Sequence, residues 1–525
     1  MGSRDAFDAV ELLKKEGPIL LARFVRTRRD ALYADLRFEA MFSRSSSAAD
    51  GEPRSAQEGE SAGVGLSVRV GGRGGAVGVG QAGVELGRLA LAPGKLIGTI
   101  RAALEEAYGR ARLGARAKAA LIRELGARAQ SMAAAGFEPP AAVQDEVAAV
   151  FRRDPRTLDS AALKGLTREA SAQVAALGPE IAFNVIAALS ELREELFVNS
   201  SGSVITQGFA FSQGDCYVVA QSADGHQETY DTIGQQRGLE CLLEPWRDEL
   251  MPNPDLVAFA LEIGREAREL AAAPALKPPE TEVTVVTDPH FNALLAHEII
   301  GHPSEADRAL KMEAAYAGRS WFLRSLVDNE IGRRVGSPLL NACSDPTLGG
   351  YGHYRYDHEG TPGGRVMHIE NGVFSGFLNS RDTAAVLGVE PNGAARASEV
   401  FYVPLIRMSN TFVMPGESDP QSMIAEVERG YYICGSAIPS IAESRENFRI
   451  SARRVYEIER GRLGRLYRAG SVIADSRRFF LDIDAVGNDL RLIAIPNCGK
   501  GQPMQVKRMS NGGPTLRSRA RLGGR

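Results

Sequence analysis

The six residues His297-Glu298-Ile299-Ile300-Gly301-His302 place two imidazoles and a carboxylate at the end of an apolar run. Upstream, residues 283–286 have the apolar character of a buried strand, and Asp288 followed by Pro289 is typical of a helix start. Burying these polar groups on an apolar helix is costly unless something binds them. A metal ion would be such a partner.

The spacing of the two histidines conflicts with a regular helix. At about 100° per residue, side chains at i and i+4 lie roughly 40° apart, whereas those at i and i+5 lie roughly 140° apart. A π-type bulge, or a helix end near Gly301 and Pro303, would bring His302 round to face His297. The alternative is a helix that simply ends here, with His302 as an exposed cap and Glu298 in solvent. The local spacing leaves both readings open.

Composition indicates a globular protein and gives little sign of a charged partner. The 525 residues suggest two or three domains, and 44% are hydrophobic and 24% charged. A net charge of −3 provides no general nucleic-acid or anionic-membrane signature. No apolar stretch reaches the ~18 residues of a membrane span, and the N-terminus lacks the order of a secretion signal, so we expect a cytoplasmic protein.

The five cysteines are odd in number and widely spaced, and they include no CxxC pair: Cys216, Cys241, Cys343, Cys434 and Cys498. This pattern disfavours a disulfide framework and predicts mostly buried thiols.

The pattern along the chain predicts an α+β fold with two domains, residues 1–275 and 280–525, separated by the proline cluster at 274–279. The first is expected to be an α/β domain with a helical layer at about 94–196. Its predicted elements are a helix at 5–30, a strand at 31–42, a mobile loop at 43–63, a hairpin across 71–75, helices near 94–112, 115–135, 140–152, 159–177 and 180–196, and a helix at 254–273.

The second domain is predicted to be β-rich and to carry the helix of the HExxxH sequence. Asn371-Gly372 predicts a tight hairpin between residues 367 and 377, because these residues accept positive φ angles. A helix is expected at 420–429. The arginine-bearing tail, with Arg517, Arg519, Arg521 and Arg525, is predicted to be a frayed, solvated end.

Two other motifs resemble a nucleotide-binding site and a metal site, but each lacks part of the pattern that such a site requires. The run Gly78-Val79-Gly80-Gln81-Ala82-Gly83 matches a dinucleotide fingerprint, yet a further strand-like run and Pro93 follow where a helix should begin. We therefore interpret these glycines as hairpin and bulge positions. A second metal cluster would use His353, His358 and His368 with Asp357 and Glu359, but strand alternation separates their faces.

Several segments together resemble the metal-bearing TldD branch of the TldD/PmbA metallopeptidases. Besides HExxxH, they are residues 359–363 (EGTPG), 369–372 (IENG), 407–412 (RMSNTF), 414–416 (MPG), 486–490 (VGNDL) and 498–502 (CGKGQ). The likeness is strong over residues 280–525 and fainter over 30–90 and 194–245. It departs from the family pattern at Ile299 and at residues 303–307.

The resemblance implies a zinc ion (Zn²⁺) bound by His297, His302 and Cys498, with Glu298 as general base. A catalytic zinc commonly has three protein ligands and one open position for water. Lys500 and the amides around Cys498 would favour its thiolate.

The resemblance also implies an unfolded or flexible peptide as substrate, held by β-strand addition. Arg407 and Asn410 are candidate substrate-binding residues, although a structural role for Arg407 is equally compatible with the sequence. The expected assembly is a homodimer, or a heterodimer with a PmbA/TldE-like subunit. The alternative function is a non-catalytic scaffold or partner subunit of such a complex, which has no chemical need for the full set of metal and base residues.

Overall fold

The computed structural model describes residues 6–126, 139–157, 159–223, 225–315, 318–323 and 328–524. Helices and strands mix along the chain, so the predicted α+β class is confirmed. Among the described residues, the strands before residue 240 all belong to one sheet, and the later strands form three others. We propose that residues 1–275 and 280–525 form two domains, because the earlier and the later strands belong to different sheets.

The first sheet has seven strands: β1 Ala31–Ala49, β2 Glu52–Gly71, β3 Val77–Leu86, β4 Gln144–Val147, β5 Ile181–Asn199, β6 Val204–Ser222 and β7 Gly225–Gln235. They lie in the order β3-β2-β1-β5-β6-β4, and β7 also pairs with β6. The helices of this part are α1 Asp8–Arg26, α2 Pro93–Leu125, α3 Ser160–Ala175, α4 Glu240–Leu243 and α5 Leu256–Ala272. Helices α1, α2, α3 and α5 pack on the sheet and bury its apolar positions.

The predicted mobile loop at 43–63 is wrong, because these residues form the far half of the β1–β2 hairpin. The hairpin turns at Asp50-Gly51, where φ is 50° and 80°. Strand β1 also pairs with β5 along residues 35–49, so its backbone is hydrogen-bonded on both sides. The Ser/Gly/Glu-rich composition reflects the exposure of residues 52–60 rather than an absence of structure.

The helical layer at 94–196 is also only partly correct. The helices predicted at 94–112 and 115–135 are one helix, α2, as far as Leu125, and residues 127–135 lie outside the described residues. The helix predicted at 159–177 is confirmed as α3. In place of helices at 140–152 and 180–196 the structure has β4 and β5. Strand β5 lies between β1 and β6, and pairing on both edges overrides the helix propensity of its Ala, Leu and Glu residues.

The glycines at 78–83 lie on β3 of the predicted hairpin, but the predicted bulge is wrong, because the register with β2 is continuous there. They permit close packing of helix α2. A β-carbon on Gly80 would lie 1.9 Å from the carbonyl oxygen of Ala107, and one on Gly78 would lie 2.0 Å from that of Ala111. Strand β3 therefore needs residues without side chains where the helix crosses it. This packing role accounts for the glycines without a nucleotide.

The later strands are β8 Val283–Thr287, β9 Ala342–Ser344, β10 Val366–Glu370, β11 Val373–Phe374, β12 Ala395–Arg396, β13 Leu405–Ile406, β14 Thr411–Val413, β15 Arg429–Ile441, β16 Asn447–Glu459, β17 Arg462–Tyr467, β18 Ser471–Asp475, β19 Ala485–Val486, β20 Arg491–Lys500, β21 Gln505–Gly513 and β22 Leu516–Gly523. The helices among them are α6 Pro289–Leu295, α7 Ala306–Ala309, α8 Arg381–Leu387, α9 Pro420–Ala425 and α10 Ser476–Leu481.

Two of the later sheets enclose the HExxxH segment. One has the order β15-β8-β22-β18-β16-β17, and an additional β15–β16 pairing closes it into a ring. The other has the order β11-β10-β9-β14-β21-β20. Apolar residues of both sheets form one core with the segment itself, including Phe291, Leu295, Ile299 and Ile300. Strands β8 and β20 thus approach the segment from different sheets.

Two local predictions in this half have opposite outcomes. The hairpin at Asn371-Gly372 is confirmed, with φ of 49° and 75°. The predicted frayed tail is wrong for residues 516–523, because β22 lies between β8 and β18. Arg517 there donates to Asp484 and Glu426, whereas Arg525 lies outside the described residues. None of the described helices has the length and apolar character that crossing a bilayer requires.

Candidate metal centre

The helix that carries the first histidine starts at a well-defined cap. Asp288 follows β8, and its Oδ1 accepts a hydrogen bond of 2.7 Å from the Phe291 amide. Pro289 occupies the first turn, where its missing N–H costs nothing. These two residues fix the direction of α6 from the end of a buried strand.

The helix then widens into a π-helix over Ala296–Gly301. The backbone N–H of His302 donates to the carbonyl of His297, five residues earlier. A five-residue step within one wide turn places the two imidazoles side by side, with ring centroids 4.7 Å apart. The structure therefore contains the irregularity that the i, i+5 spacing requires. Both histidines are 4% exposed, so His302 is not an exposed cap.

Cys498 reaches the same point from strand β20. The β20–β21 register shifts between Ile495 and Cys498, which marks a bulge just before the thiol. The Cys498 Sγ lies 3.5 Å from His302 Nε2, and one ligand atom from each of the three residues lies within 4.8 Å of the others. Among the described residues, this is the only group of three or more His, Cys, Asp or Glu side chains arranged to hold a metal.

Both imidazoles are oriented by a partner on the nitrogen that faces away from the cysteine. His297 Nδ1 lies 2.9 Å from Asn511 Oδ1, and His302 Nδ1 lies 3.0 Å from Glu305 Oε2. Each contact is made when Nδ1 carries the proton and donates it, which leaves Nε2 with a lone pair. Buried ligands with such partners fit a zinc ion, which accepts histidine nitrogen and cysteine thiolate.

Glu305 lies at the centre of a buried charge network behind His302. Its Oε2 also accepts from Arg308 Nε at 2.9 Å and from Lys500 Nζ at 3.1 Å. Lys500 Nζ further donates to Asp307 Oδ1 at 2.7 Å. Lys500 thus acts on the site through Glu305 and Asp307. The sequence did not single out Glu305 or Asn511, although a glutamate three residues after His302 was a visible signal for Glu305.

Charge shifts the pKa values of the site in a consistent direction. Burial opposes ionisation of Cys498, but His297 and His302 outweigh it and hold the pKa of the thiol well below its usual range. Burial likewise opposes protonation of His297, but the Cys498 charge outweighs it and raises the pKa of the imidazole to about 9. The charged forms of Cys498 and His297 therefore stabilise each other.

Glu298 is the most accessible of the four predicted site residues, with its side chain 16% exposed. Arg445 Nε lies 3.8 Å from its Oε2, and the Arg445 side chain is 3% exposed. Arg445 has a φ of 64°, a left-handed conformation that is unfavourable for arginine. A hydrogen bond of 2.6 Å from Ser476 Oγ to the Arg445 carbonyl helps to hold this turn. Strained backbone of this kind is concentrated at functional sites.

Arg407 and Asn410 are both buried and bonded to the backbone. Arg407 donates to the carbonyls of Cys498 and Gln505, and so supports the β20–β21 pair. Asn410 donates to the carbonyls of Asp345 and Leu348. In this structure neither side chain faces open space, and their contacts are those of supporting residues.

The alternative histidine cluster is dispersed. His353 Nδ1 donates to the carbonyl of Pro346, His358 Nε2 lies 3.0 Å from Glu195, and His368 lies between Ser344 and Gly376. All five cysteines are free and buried, as predicted.

Two cavities share part of their walls at the residues just before Cys498, although none of His297, Glu298, His302 and Cys498 lines either of them. One has a volume of about 420 Å³ and the other about 380 Å³. Both are lined by Tyr230, Pro496 and Asn497, and Asn497 directly precedes Cys498. The smaller cavity also contacts Ala293 and Leu294, one helical turn before His297 and Glu298. The ligand-bearing end of β20 therefore separates two open spaces.

Comparison with known proteins identifies relatives of this chain. Residues 280–521 match the family model described as the PmbA/TldA metallopeptidase C-terminal domain. A protein of Methanothermobacter thermautotrophicus named "Metalloprotease" is 32% identical over 331 residues, which is 62% of this chain and 67% of that protein. One of Saccharolobus solfataricus named "Zinc metalloprotease TldD homolog" is 30% identical, over 47% of this chain and 53% of that protein.

The fold as a whole is similar to that of a solved relative. The crystal structure of TldE from Thermococcus kodakarensis superposes with a TM-score of 0.70 and covers 97% of this chain and 100% of that one, at 15% identity. The sequence relatives thus define a protein of the metallopeptidase type. The chain belongs to the PmbA/TldD family.

Proposed function

We propose that this protein is a zinc-dependent peptidase that hydrolyses peptide bonds in unfolded or flexible peptides, with Glu298 as general base. The observation that carries this proposal is the buried triangle of His297, His302 and Cys498 with Glu298 on the same π-helix. When bound, zinc would supply Lewis acidity that lowers the pKa of water and polarises a peptide carbonyl.

The residues of the chain have distinct tasks in this proposal. His297 and His302 offer Nε2 and Cys498 offers its thiolate, while Asn511 and Glu305 hold the rings in place. Glu298 has the exposure that a proton acceptor needs, and its carboxylate takes a proton from the attacking water and passes it to the leaving amine. Arg445 keeps a positive charge beside that carboxylate and orients it.

Strand β20 is suited to hold an extended peptide. In the described residues it pairs only with β21, and it borders both cavities at residues 496–497. A peptide that adds to its other edge would be read through its backbone and would pass Cys498. Because Arg407 and Asn410 are buried, we place substrate contacts on β20 and the cavity walls instead. We also propose that the chain forms a homodimer, or a heterodimer with a PmbA/TldE-like subunit.

The test compares metal content and peptide cleavage in the same preparations. Wild type should contain about one zinc per chain and cleave an unstructured peptide. Cys498→Ala should lose both, whereas Glu298→Gln should keep zinc and lose cleavage. Cys343→Ala is the matched control, because Cys343 is also buried but lies outside the triangle.

The results separate the two candidate functions. Loss of cleavage with zinc retained in Glu298→Gln supports the peptidase. Zinc in wild type without cleavage, even after addition of a PmbA/TldE-like subunit, would favour the scaffold function. Protein purified without chelators that contains no zinc would contradict the proposal.

A further inference from the structure

The larger cavity combines aromatic walls with buried charge. Its volume of about 420 Å³ suits one or two amino-acid side chains. It lies between strands of the first sheet and the later half of the chain, and one end is formed by Pro496 and Asn497. The aromatic residues that line it are Phe209, Phe211, Tyr230, Tyr351, Tyr354 and Tyr356.

The carboxylates on its walls already have hydrogen-bond donors. Glu191 receives two hydrogen bonds of 3.1 Å from Arg508, and Glu195 lies 3.0 Å from His358 Nε2. Asp215 accepts from a tyrosine and a glutamine of the same sheet. Glu191 and Glu195 are therefore paired with arginines, whereas the hydrogen bonds described for Asp215 and for Glu399 come from neutral groups.

Two cations on the same walls, Lys507 and Arg396, differ from the paired arginines. Within the described residues, neither has a carboxylate at ion-pair distance. Lys507 Nζ donates to the carbonyl of Ala397 at 2.7 Å. Arg396 is 4% exposed, donates to the carbonyl of Met408, and stacks its guanidinium 4.3 Å from the centre of the Tyr354 ring. The Nε of Arg396 has no hydrogen-bond partner among the described residues.

Positive charge in this position is costly unless an anion neutralises it. Arg396 is buried and Lys507 is partly buried, and the hydrogen bonds described for their charged groups are to neutral backbone carbonyls. A cation whose charged form is disfavoured in the empty cavity would gain from an incoming anion. A carboxylate is the anion that a peptide carries.

Arg396 is also connected to the metal centre through Met408, whose carbonyl it binds. The Met408 sulfur packs against the π-helix, since a β-carbon on Gly301 would lie 2.6 Å from it. Asn511, which orients His297, lies 3.5 Å from the same sulfur. Contacts through Met408 therefore link Arg396 to the π-helix, and Asn497 on the cavity wall directly precedes Cys498.

We propose that this cavity is a subsite for a peptide carboxylate, bound by Arg396 and Lys507 while the aromatic walls receive the apolar part of the same residue. The carboxylate is either the C-terminus of the peptide or an acidic side chain. The inference rests on the proposed function only in that the ligand is a peptide, and it can be tested without cleavage.

The experiment measures binding of three fluorescent hexapeptides to Glu298→Gln by anisotropy. The first has a free C-terminus and one glutamate, the second has a C-terminal amide, and the third replaces the glutamate by glutamine. Loss of one charge-assisted contact should weaken binding by about tenfold. A loss with the amide identifies the C-terminal carboxylate, and a loss with the glutamine peptide identifies the side chain.

Variants in the Glu298→Gln background assign the contact to the two cations. The measured quantity is the ratio of the affinities for the peptide that carries the recognised carboxylate and for the peptide that lacks it. Lys507→Met should bring this ratio close to one. Arg396→Lys keeps the positive charge and should reduce the ratio. Val506→Ala is the control, because Val506 lines the cavity and carries no charge. It should leave the ratio unchanged.

Equal binding of all three peptides would overturn the proposal, as would a preference that survives in both Lys507→Met and Arg396→Lys. Absence of zinc in wild type, or absence of cleavage even with an added PmbA/TldE-like subunit, would refute the proposed peptidase function, while the binding preference would still report on the cavity.

Discussion

Replacing Glu305 by glutamine should destabilise the protein strongly although it removes no atoms from the core. Glu305, Arg308 and Lys500 have side chains that are 0% exposed, and Oε2 of Glu305 contacts both cations within 3.1 Å. Glutamine keeps the shape but leaves Arg308 without this charge and Lys500 with only Asp307. Breaking a buried ion pair at one partner typically costs 3–5 kcal/mol, and we expect about 3 kcal/mol because Asp307 remains.

The assay monitors urea unfolding by tryptophan fluorescence. It uses the metal-free proteins, so that loss of metal does not contribute to the measured stability. Glu443→Gln is the control, since its ion pair with Arg319 is exposed and should be worth less than about 1 kcal/mol. If both variants lower the unfolding free energy equally, at the same dependence on urea, the reasoning about buried charge is refuted.

Three further predictions concern other parts of the fold. Gly80→Ala should cost about 3 kcal/mol, because its β-carbon would meet the backbone of α2, whereas Gly109→Ala on the open face of α2 should stabilise by about 0.5–1 kcal/mol in thermal unfolding. Burial lowers the pKa of His368 from 6.5 to about 4, because it disfavours the charged imidazole. About 3 kcal/mol of stability is therefore fully present above pH 6.5 and is lost as the pH falls towards 4. In His368→Gln, the unfolding free energy should change less with pH in that window. Arg445→Met should lower kcat about tenfold with zinc retained, Arg445→Lys should recover part of it, and an unchanged kcat would exclude a role in orienting Glu298.

The π-helix at the metal centre could be predicted only on the condition that both histidines bind the same ion. A step of five residues puts His297 and His302 on different faces of a regular helix, so a common target required a bulge near Gly301. The structure contains a π-helix at that place. The assignment of Cys498 to the same site came from family resemblance, because no local rule connects residues that are 196 positions apart.

The errors in the first half of the chain have a common physical cause. Residues 43–63 look like a loop and residues 180–196 like a helix when each is considered alone. In the structure both are parts of long strands, and β1 separates β2 from β5. Pairing on two edges satisfies the backbone of a central strand whatever its side chains prefer, and this stabilisation is invisible until the neighbours are known.

Of the two residues that orient the imidazoles, Asn511 could not be predicted for the same reason, whereas Glu305 lies only three residues after His302. Their placement has a consequence. The metal centre is formed where two irregularities meet, the π-helix before His302 and the strand bulge before Cys498. Neither is favoured by its local sequence alone. Asn511 on β21 and the Glu305 network fix the two imidazoles through bonds that involve no metal. We therefore expect the ligand geometry to persist in the metal-free protein, and zinc binding to require little rearrangement of the backbone.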